Sequence, residues 1–312
     1  MRAAVLKHYG SPDQFVIKDV DTPEPEEGQV LIRNRASSVN PVDVVVRKGA
    51  FRLVTGLFND PIIGCDYCGT VVRSRSSRFN EGDEIFGVLS PANGHAYAEF
   101  VVVDGATAVR KPANLSFTEA ATIPLTALTA WQSLVVTGGL KAGDHVLING
   151  CTGGVGCMAV QIAKQLGAIV TGTCRGANAA FARELGCDTV INYETESIPT
   201  DNRYPLIFDA AGKMTWSAAE ASLTDDGLLV IIRPHVDDLS SAITAAVDLA
   251  RSRMKLVVMK ANAPELATIK DWLEQGKLKP HIAQTFPLEK IGLAHRRLEE
   301  GGFVGKLAIA ID

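Results

Sequence analysis

The chain has 312 residues, 46% of them hydrophobic and 21% charged, with a formal net charge of -4. That length exceeds what one compact core ordinarily supports, so two domains are expected, with a single α/β barrel of this size as the alternative, and the composition is that of an ordinary globular chain, not a disordered one. Lys and Arg are dispersed in a mildly acidic background, which gives no electrostatic reason to expect nucleic acid or an anionic membrane as a partner; a small molecule is the expected ligand. The first residues, MRAAVLKHYG, lack the apolar core of a signal peptide, and no stretch reaches the roughly 18 apolar residues of a membrane-spanning helix. A cytoplasmic location is therefore expected. Cys65, Cys68, Cys151, Cys157, Cys174 and Cys187 lie in apolar or glycine-rich segments, which suits buried thiols in a reducing compartment without disulfides.

Along the first 120 residues, short alternating segments such as 29–35 (QVLIRNR) are punctuated by Pro, Gly, Asn and Asp, the texture of an antiparallel β-rich domain. From Lys141 the texture changes. Continuously apolar runs at 145–149, 168–173, 189–191, 206–209, 227–232 and 255–259 alternate with helical patterns, as in parallel strands covered on both faces. Between the first two runs, Val155, Ala159, Ile162, Ala163 and Leu166 recur at helical spacing and Gly167 supplies a stop. From Lys277 the β texture returns, with a helical pattern over 288–300 and a last apolar strand over 305–311. The predicted architecture is α/β: a doubly wound, Rossmann-type parallel sheet over residues 122–276, inserted into a β-rich domain formed by 1–121 and 277–312.

The segment HVLINGCTGGVGCMAVQIAKQLGA sets a glycine cluster between a strand and an amphipathic helix, the context in which a dinucleotide-binding turn has physical meaning. Gly153 lets the backbone approach a pyrophosphate, and Gly156 lets the helix pack closely on the strand. The N–H groups of Thr152, Gly153, Gly154 and Val155 are placed to meet the anion at the helix start. Cys151 stands where the GxGxxG pattern has its first glycine, and Gly150 beside it supplies the freedom the turn needs. A ligand-free strand-to-helix turn is the alternative. The second strand ends GTCRGAN, with no carboxylate for a ribose 2′-hydroxyl. Thr173 stands at that place and Arg175 follows two residues on, where a guanidinium can pair with a 2′-phosphate. The expected cofactor is NADPH; the alternative leaves Arg175 an exposed charge with no cofactor preference.

With these residues in hand, the chain resembles the medium-chain dehydrogenase/reductase superfamily, in its zinc-free quinone oxidoreductase (zeta-crystallin-like) branch. The resemblance rests on ASSVNPVDVVVRKGAF, PIIGCDYCGTVV, AATIPLTALTAWQSL, GLKAGDHVLINGCTGGVG and EEGGFVGKLAIAI, in that order. It implies a GroES-like β-rich domain joined to the Rossmann domain, and NADPH-dependent hydride transfer to a quinone. Reduction of an enal or enone double bond is the alternative reaction, and a non-catalytic NADPH-binding redox sensor is the alternative from another class.

The alcohol dehydrogenase branch places a Cys and a Gly-His-Glu element at zinc. Here Asn40 stands at the first position, and Gly64, Cys65 and Asp66 replace the second, so no metal is expected. The resemblance assigns Asn40 to the catalytic cleft as a donor to the acceptor oxygen; a turn residue before Pro41 is the equal alternative. It places Thr126 beside the nicotinamide ribose, with a helix cap as alternative, and Tyr193 near the adenosine phosphate, with aromatic packing as alternative. Lys306 matches the lysine of the closing strand among the cofactor contacts; an exposed solvated charge is the alternative. Asp43 and Arg47, four apart, read as a structural ion pair. Phe51 replaces a tyrosine frequent in the family and makes the acceptor pocket more apolar. The run KLVVM ends the Rossmann sheet as an edge strand, through which a homodimer is expected.

Overall fold

The computed structural model describes residues 1–50, 52, 61–200, 204–235 and 238–312. Phe51, and the expectation placed on it, lies outside the described residues. These form two compact units, one of residues 1–125 with 260–312 and one of residues 126–259.

In the first unit β1 (Arg2–Leu6) pairs antiparallel with β2 (Phe15–Asp19). The long β3 (Gln29–Val39) keeps the predicted alternation: Arg33 and Arg35 are exposed, while Ile32, Asn34 and Ala36 point inward. It leads through Asn40 into helix α1 (Pro41–Arg47), where Pro41 at the first position removes a donor that would lack an acceptor anyway. Strands β4 (Asp66–Ser74), β5 (Glu84–Val88), β6 (Phe100–Asp104) and β7 (Val109–Arg110) continue the sheet, and the short helix α2 (Phe117–Ala121) follows. Helix α3 (Pro124–Trp131) carries the chain across the boundary into the second unit.

There, β8 (His145–Asn149), α4 (Gly154–Gln165), β9 (Ile169–Cys174), α5 (Ala179–Leu185), β10 (Thr189–Asn192), β11 (Tyr204–Asp209), α6 (Trp216–Ala219), β12 (Leu223–Ile231), α7 (Leu239–Arg251) and β13 (Met254–Leu256) succeed one another. The sheet order is β10-β9-β8-β11-β12-β13 with every pair parallel, the doubly wound arrangement whose order reverses between β8 and β11. Each predicted apolar run contributes to a strand, although the run 255–259 does so only through Lys255 and Leu256. Leu147, Ile207, Leu229 and Ile231 from three of them pack with Tyr204, Met214 and Met254 into one buried cluster.

The return to the first unit falls at Lys260 rather than at Lys277. Helix α8 (Ala263–Glu274) belongs there because its end is tied down locally: Asn114 donates to the Leu273 carbonyl at 2.9 Å and the Ala113 N–H to Glu274 at 3.0 Å. Strand β14 (Ile282–Pro287), helix α9 (Ile291–Glu300) and strand β15 (Lys306–Ala310) complete the sheet in the order β14-β15-β3-β4-β5-β7, with β6 on β3. Antiparallel pairing of β15 with β3 sets Leu307 opposite Val39. That register brings Lys306 to the end of β3, and β4 begins beside it at Asp66.

Candidate functional site

In the second unit, the carboxyl ends of β8 and β9 are held together by side chains. The Thr173 hydroxyl donates to Asn149 Oδ1 at 2.6 Å and accepts from the Gly150 N–H at 3.1 Å, while Asn149 Nδ2 donates to Asp209 Oδ1 at 2.8 Å. Thr173 is thus a buried strut of the turn, not an exposed contact for the ribose, because both functions of its hydroxyl are spent internally. Gly150 adopts φ +79°, the left-handed region a side chain would strain. A Cβ on Gly156 would fall 2.1 Å from the Gly150 carbonyl oxygen, so that glycine is required for close packing of helix on turn. Gly153 is exposed, with only that same oxygen near its missing Cβ. Helix α4 starts at Gly154, so the first-turn N–H groups have no acceptor inside the helix. Gly154 and Val155 are therefore at an anion-receptive helix start, whereas the Gly153 N–H already donates to the Gly150 carbonyl at 3.2 Å and the Thr152 side chain is buried beneath it.

Arg175 and Tyr193 follow the ends of the adjacent strands β9 and β10. They meet: Arg175 Nε donates to the Tyr193 hydroxyl at 3.1 Å. Tyr193 is half exposed, so aromatic packing does not account for it. Glu194 lies 4.0 Å from the Arg175 guanidinium and is equally exposed, a pair that solvent weakens. Sequence reasoning passed over Asp209, although it organises the switch point. Its carboxylate accepts the N–H groups of Ala211, Gly212, Lys213 and Met214 as well as the Asn149 amide. The available signal was an acid closing an apolar strand just before Ala-Ala-Gly.

In the first unit, three strand ends converge on a buried polar network. Asn40 is fully buried. Its Oδ1 accepts from Lys306 Nζ at 2.5 Å, and its Nδ2 donates to Asp66 Oδ2 at 2.9 Å and toward Asp43 Oδ2 at 3.2 Å. Its amide is committed on both sides, so the structure does not leave it to donate to an acceptor oxygen. It acts at the start of α1, where its backbone N–H donates to Asp43 Oδ2 at 2.8 Å. Asp43 also accepts from the Tyr97 hydroxyl and the Cys65 thiol, each at 3.1 Å. The expected Asp43–Arg47 pair is not formed: Arg47 reaches Glu299 at 2.8 Å, because Asp43 faces the opposite set of donors. Lys306 is buried rather than solvated, and donates to the Val39 carbonyl at 2.8 Å besides Asn40. Thr126 is the third residue of α3, inside its first turn and not its cap.

Burial dominates the electrostatics of this network. It pushes the Asp43 carboxyl up to about 6 against its hydrogen bonds from Cys65 and Asn40, and it raises the Cys65 thiol well above its ordinary range. It also raises Asp66 and lowers Lys306, while the attraction between ammonium and carboxylate opposes both changes. All six cysteines are free and buried. Among the described residues no helix is long and apolar enough to cross a membrane.

Residues 26–113 match the family model of the alcohol dehydrogenase GroES-like domain, and residues 185–309 match that of the zinc-binding dehydrogenases. The chain is 30% identical to a chloroplastic quinone-oxidoreductase homolog of Spinacia oleracea, over 96% of this chain and 95% of that one. It is 31% identical to the mitochondrial NAD(P)H oxidoreductase RTN4IP1 of Homo sapiens, over 91% of this chain and 82% of the other. The solved structure of the quinone oxidoreductase from Coxiella burnetii superposes with a TM-score of 0.90 at 31% identity, covering 100% of this chain and 99% of that one.

Proposed function

The chain belongs to the medium-chain dehydrogenase/reductase superfamily, in its quinone oxidoreductase branch, and from that premise we propose that it is an NADPH-dependent reductase that delivers hydride to a quinone without zinc. The observation that carries the cofactor choice is the Arg175–Tyr193 pair at the ends of β9 and β10. A guanidinium and a phenol side by side offer a 2′-phosphate a charged donor and a neutral one, and β9 itself ends without the acid that would bind the corresponding hydroxyl, the neighbouring carboxylate being Glu194 after β10, which accepts the Gly176 N–H at 3.3 Å. The bound dinucleotide supplies the hydride. The N–H groups at the start of α4 hold its pyrophosphate, and Asn149, Thr173 and Asp209 keep the turn in shape before it binds.

The positions that the alcohol dehydrogenase branch gives to zinc do not fit the ion here. Asn40 offers an amide whose oxygen already holds an ammonium, the Cys65 thiol is a hydrogen-bond donor to Asp43, and both Asp66 oxygens accept hydrogen bonds. A cation brought there would meet Lys306. With no Lewis acid, an already electrophilic acceptor such as a quinone suits the site better than an alcohol.

We also assign the edge strand β13 to homodimer pairing. Leu256 on it and Val258 just beyond it are exposed, as are Ile243 and Val247 of α7, and an apolar strand edge is a template for a second copy. Light scattering on the purified protein gives twice the chain mass if this holds.

The test of function is titration with NADPH and NADH by nicotinamide fluorescence, followed by NADPH oxidation against a panel of quinones, enals and enones. Arg175→Ala is expected to weaken NADPH by on the order of tenfold while sparing NADH. Equal losses refute the 2′-phosphate assignment. Turnover of enones without quinones refutes the acceptor, and tight binding without any turnover refutes the enzyme.

A further inference from the structure

The buried network of the first unit has an outlet that the hydride-transfer reading does not use. Asp66 spends Oδ2 on the Ser38 hydroxyl and the Asn40 amide, but its Oδ1 accepts the Leu125 N–H at 2.9 Å. Leu125 is the second residue of α3, after Pro124, which has no N–H. The Leu125 amide is therefore the first donor of that helix, and a buried carboxylate meets it at the positive end of the helix dipole. Thr126 comes next.

Lys306 stands at the other end of the same chain of contacts. By donating to Asn40 Oδ1 it fixes which way the amide points. A flipped amide would set NH₂ against the ammonium and an oxygen against the carboxylates. With the amide held, Nδ2 goes to Asp66. Asp66 in turn is surrounded by donors alone: the Ser38 hydroxyl, the Asn40 amide and the Leu125 N–H. That donor set is satisfied only by an ionised carboxylate, and Lys306 is the cation of the network that balances it.

We propose that Lys306 is a positioning residue for the nicotinamide end of the cofactor, acting through Asn40 and Asp66 to fix the first turn of the helix that carries Thr126. This rests on the reading in which Thr126 stands beside the nicotinamide ribose. Without the ammonium, Asp66 is a buried anion without its cation. It must then give up part of its donor set, either by turning toward water or by taking up a proton for which no acceptor is in place. The Leu125 amide is released, and Thr126 loses its fixed place.

The test uses the full chain and two variants. In Lys306→Met, hydrogen exchange at the Leu125 amide of the cofactor-free protein is expected to rise while β8 and β9 stay protected. The Kd for NADPH is expected to rise about tenfold, with the Kd for adenosine 2′,5′-bisphosphate, which lacks the nicotinamide half, unchanged. Adding Asp66→Asn removes the stranded charge and leaves an oxygen for the Leu125 N–H. The double variant is therefore expected to recover amide protection and most of the NADPH affinity, which damage to the fold alone would not do. Unchanged exchange at Leu125 in Lys306→Met overturns the proposal without reference to any cofactor. So does equal weakening of NADPH and the bisphosphate, or a double variant no better than the single one. If the unaltered protein binds neither compound, the functional reading falls, and the role of Lys306 toward the cofactor falls with it.

Discussion

His295 offers a test of how dry the core of the first unit is. Its ring is fully buried on α9, with centroids 4.9 Å from Phe15 and 5.8 Å from Tyr97, and among the described residues neither ring nitrogen has a hydrogen-bond partner. Burial, helped by the nearby Arg47 guanidinium, pulls its pKa down from 6.5 to about 3. The unfolded chain takes up this proton near pH 6.5 and the folded chain only near 3. Acid therefore favours unfolding: the contribution of the neutral ring is complete above pH 6.5 and is lost as pH falls toward 3. Each pH unit in that window costs ~1.4 kcal/mol. His295→Leu removes the titration along with two unpaired nitrogens, at the expense of aromatic contacts worth ~0.5–1.5 kcal/mol. Its stability at pH 7 should be close to that of the unaltered chain. At pH 4.5 the variant should be ahead by a further ~2.7 kcal/mol, read from urea unfolding of both proteins at both pH values. Every other titrating group is common to the two and cancels. An unchanged difference between pH 7 and 4.5 refutes the argument and means that the ring is hydrated in the folded state.

Asp43 runs in the opposite sense. Its folded pKa of about 6 lies above the ordinary 3.8, so it destabilises the fold above pH 6 and the penalty fades as pH falls toward 4; relative to Asp43→Asn, the unaltered chain should gain ~2 kcal/mol between pH 7 and 4.5 in urea unfolding. Glu299→Ala strips the carboxylate from Arg47, whose side chain is 1% exposed, and should cost ~3–5 kcal/mol, seen as a lower denaturation midpoint. Gly156→Ala forces a methyl against the Gly150 carbonyl and should abolish the NADPH fluorescence change while leaving hydrogen exchange in the first unit as it was. Asp209→Ala leaves four backbone N–H groups without their acceptor, so exchange across 211–214 should rise and cofactor affinity should fall with it.

The Rossmann unit was legible because its signals are local. A continuously apolar strand, a glycine turn and a 3.6-residue periodicity all lie within one stretch of 24 residues, and Cys151 in place of a glycine did no harm because Gly150 takes the left-handed position. What the sequence could not show was where hydroxyls and amides point. Thr173 closes the predicted run, but β9 runs on to Cys174 and both residues are buried, so the first exposed position after the strand is Arg175. The boundary at Lys260 was missed because α8 has an ordinary amphipathic pattern, and what assigns it to the first unit is its contacts with Asn114 and Ala113, 159 and 161 residues earlier. The Asp43–Arg47 pair failed for a related reason. Helical spacing makes such a pair possible, but Glu299 and the donors around Asp43, all distant in sequence, compete for each partner and win.

The network around Asn40 depends on register. Residues 38–40, 65–66 and 306 come from three separate segments and meet because β15 pairs with β3 so that Leu307 faces Val39, while Ala36 faces Cys68 of β4. A shift of one residue in either pairing would turn Lys306 or Asp66 to the other face of the sheet. The ammonium is thus fixed covalently on a strand whose neighbours, Leu307, Ala308 and Ile309, are wholly buried. A bound ion at the same place would be held only by its ligands, would exchange with solvent and would respond to chelators. An ammonium on a core strand does none of these, and its position is as stable as the sheet. The burial of Lys306 costs stability that its two hydrogen bonds and the facing Asp66 offset in part. In return, the orientation of the Asn40 amide, and through it that of Asp66, is set by the same pairing that closes the sheet.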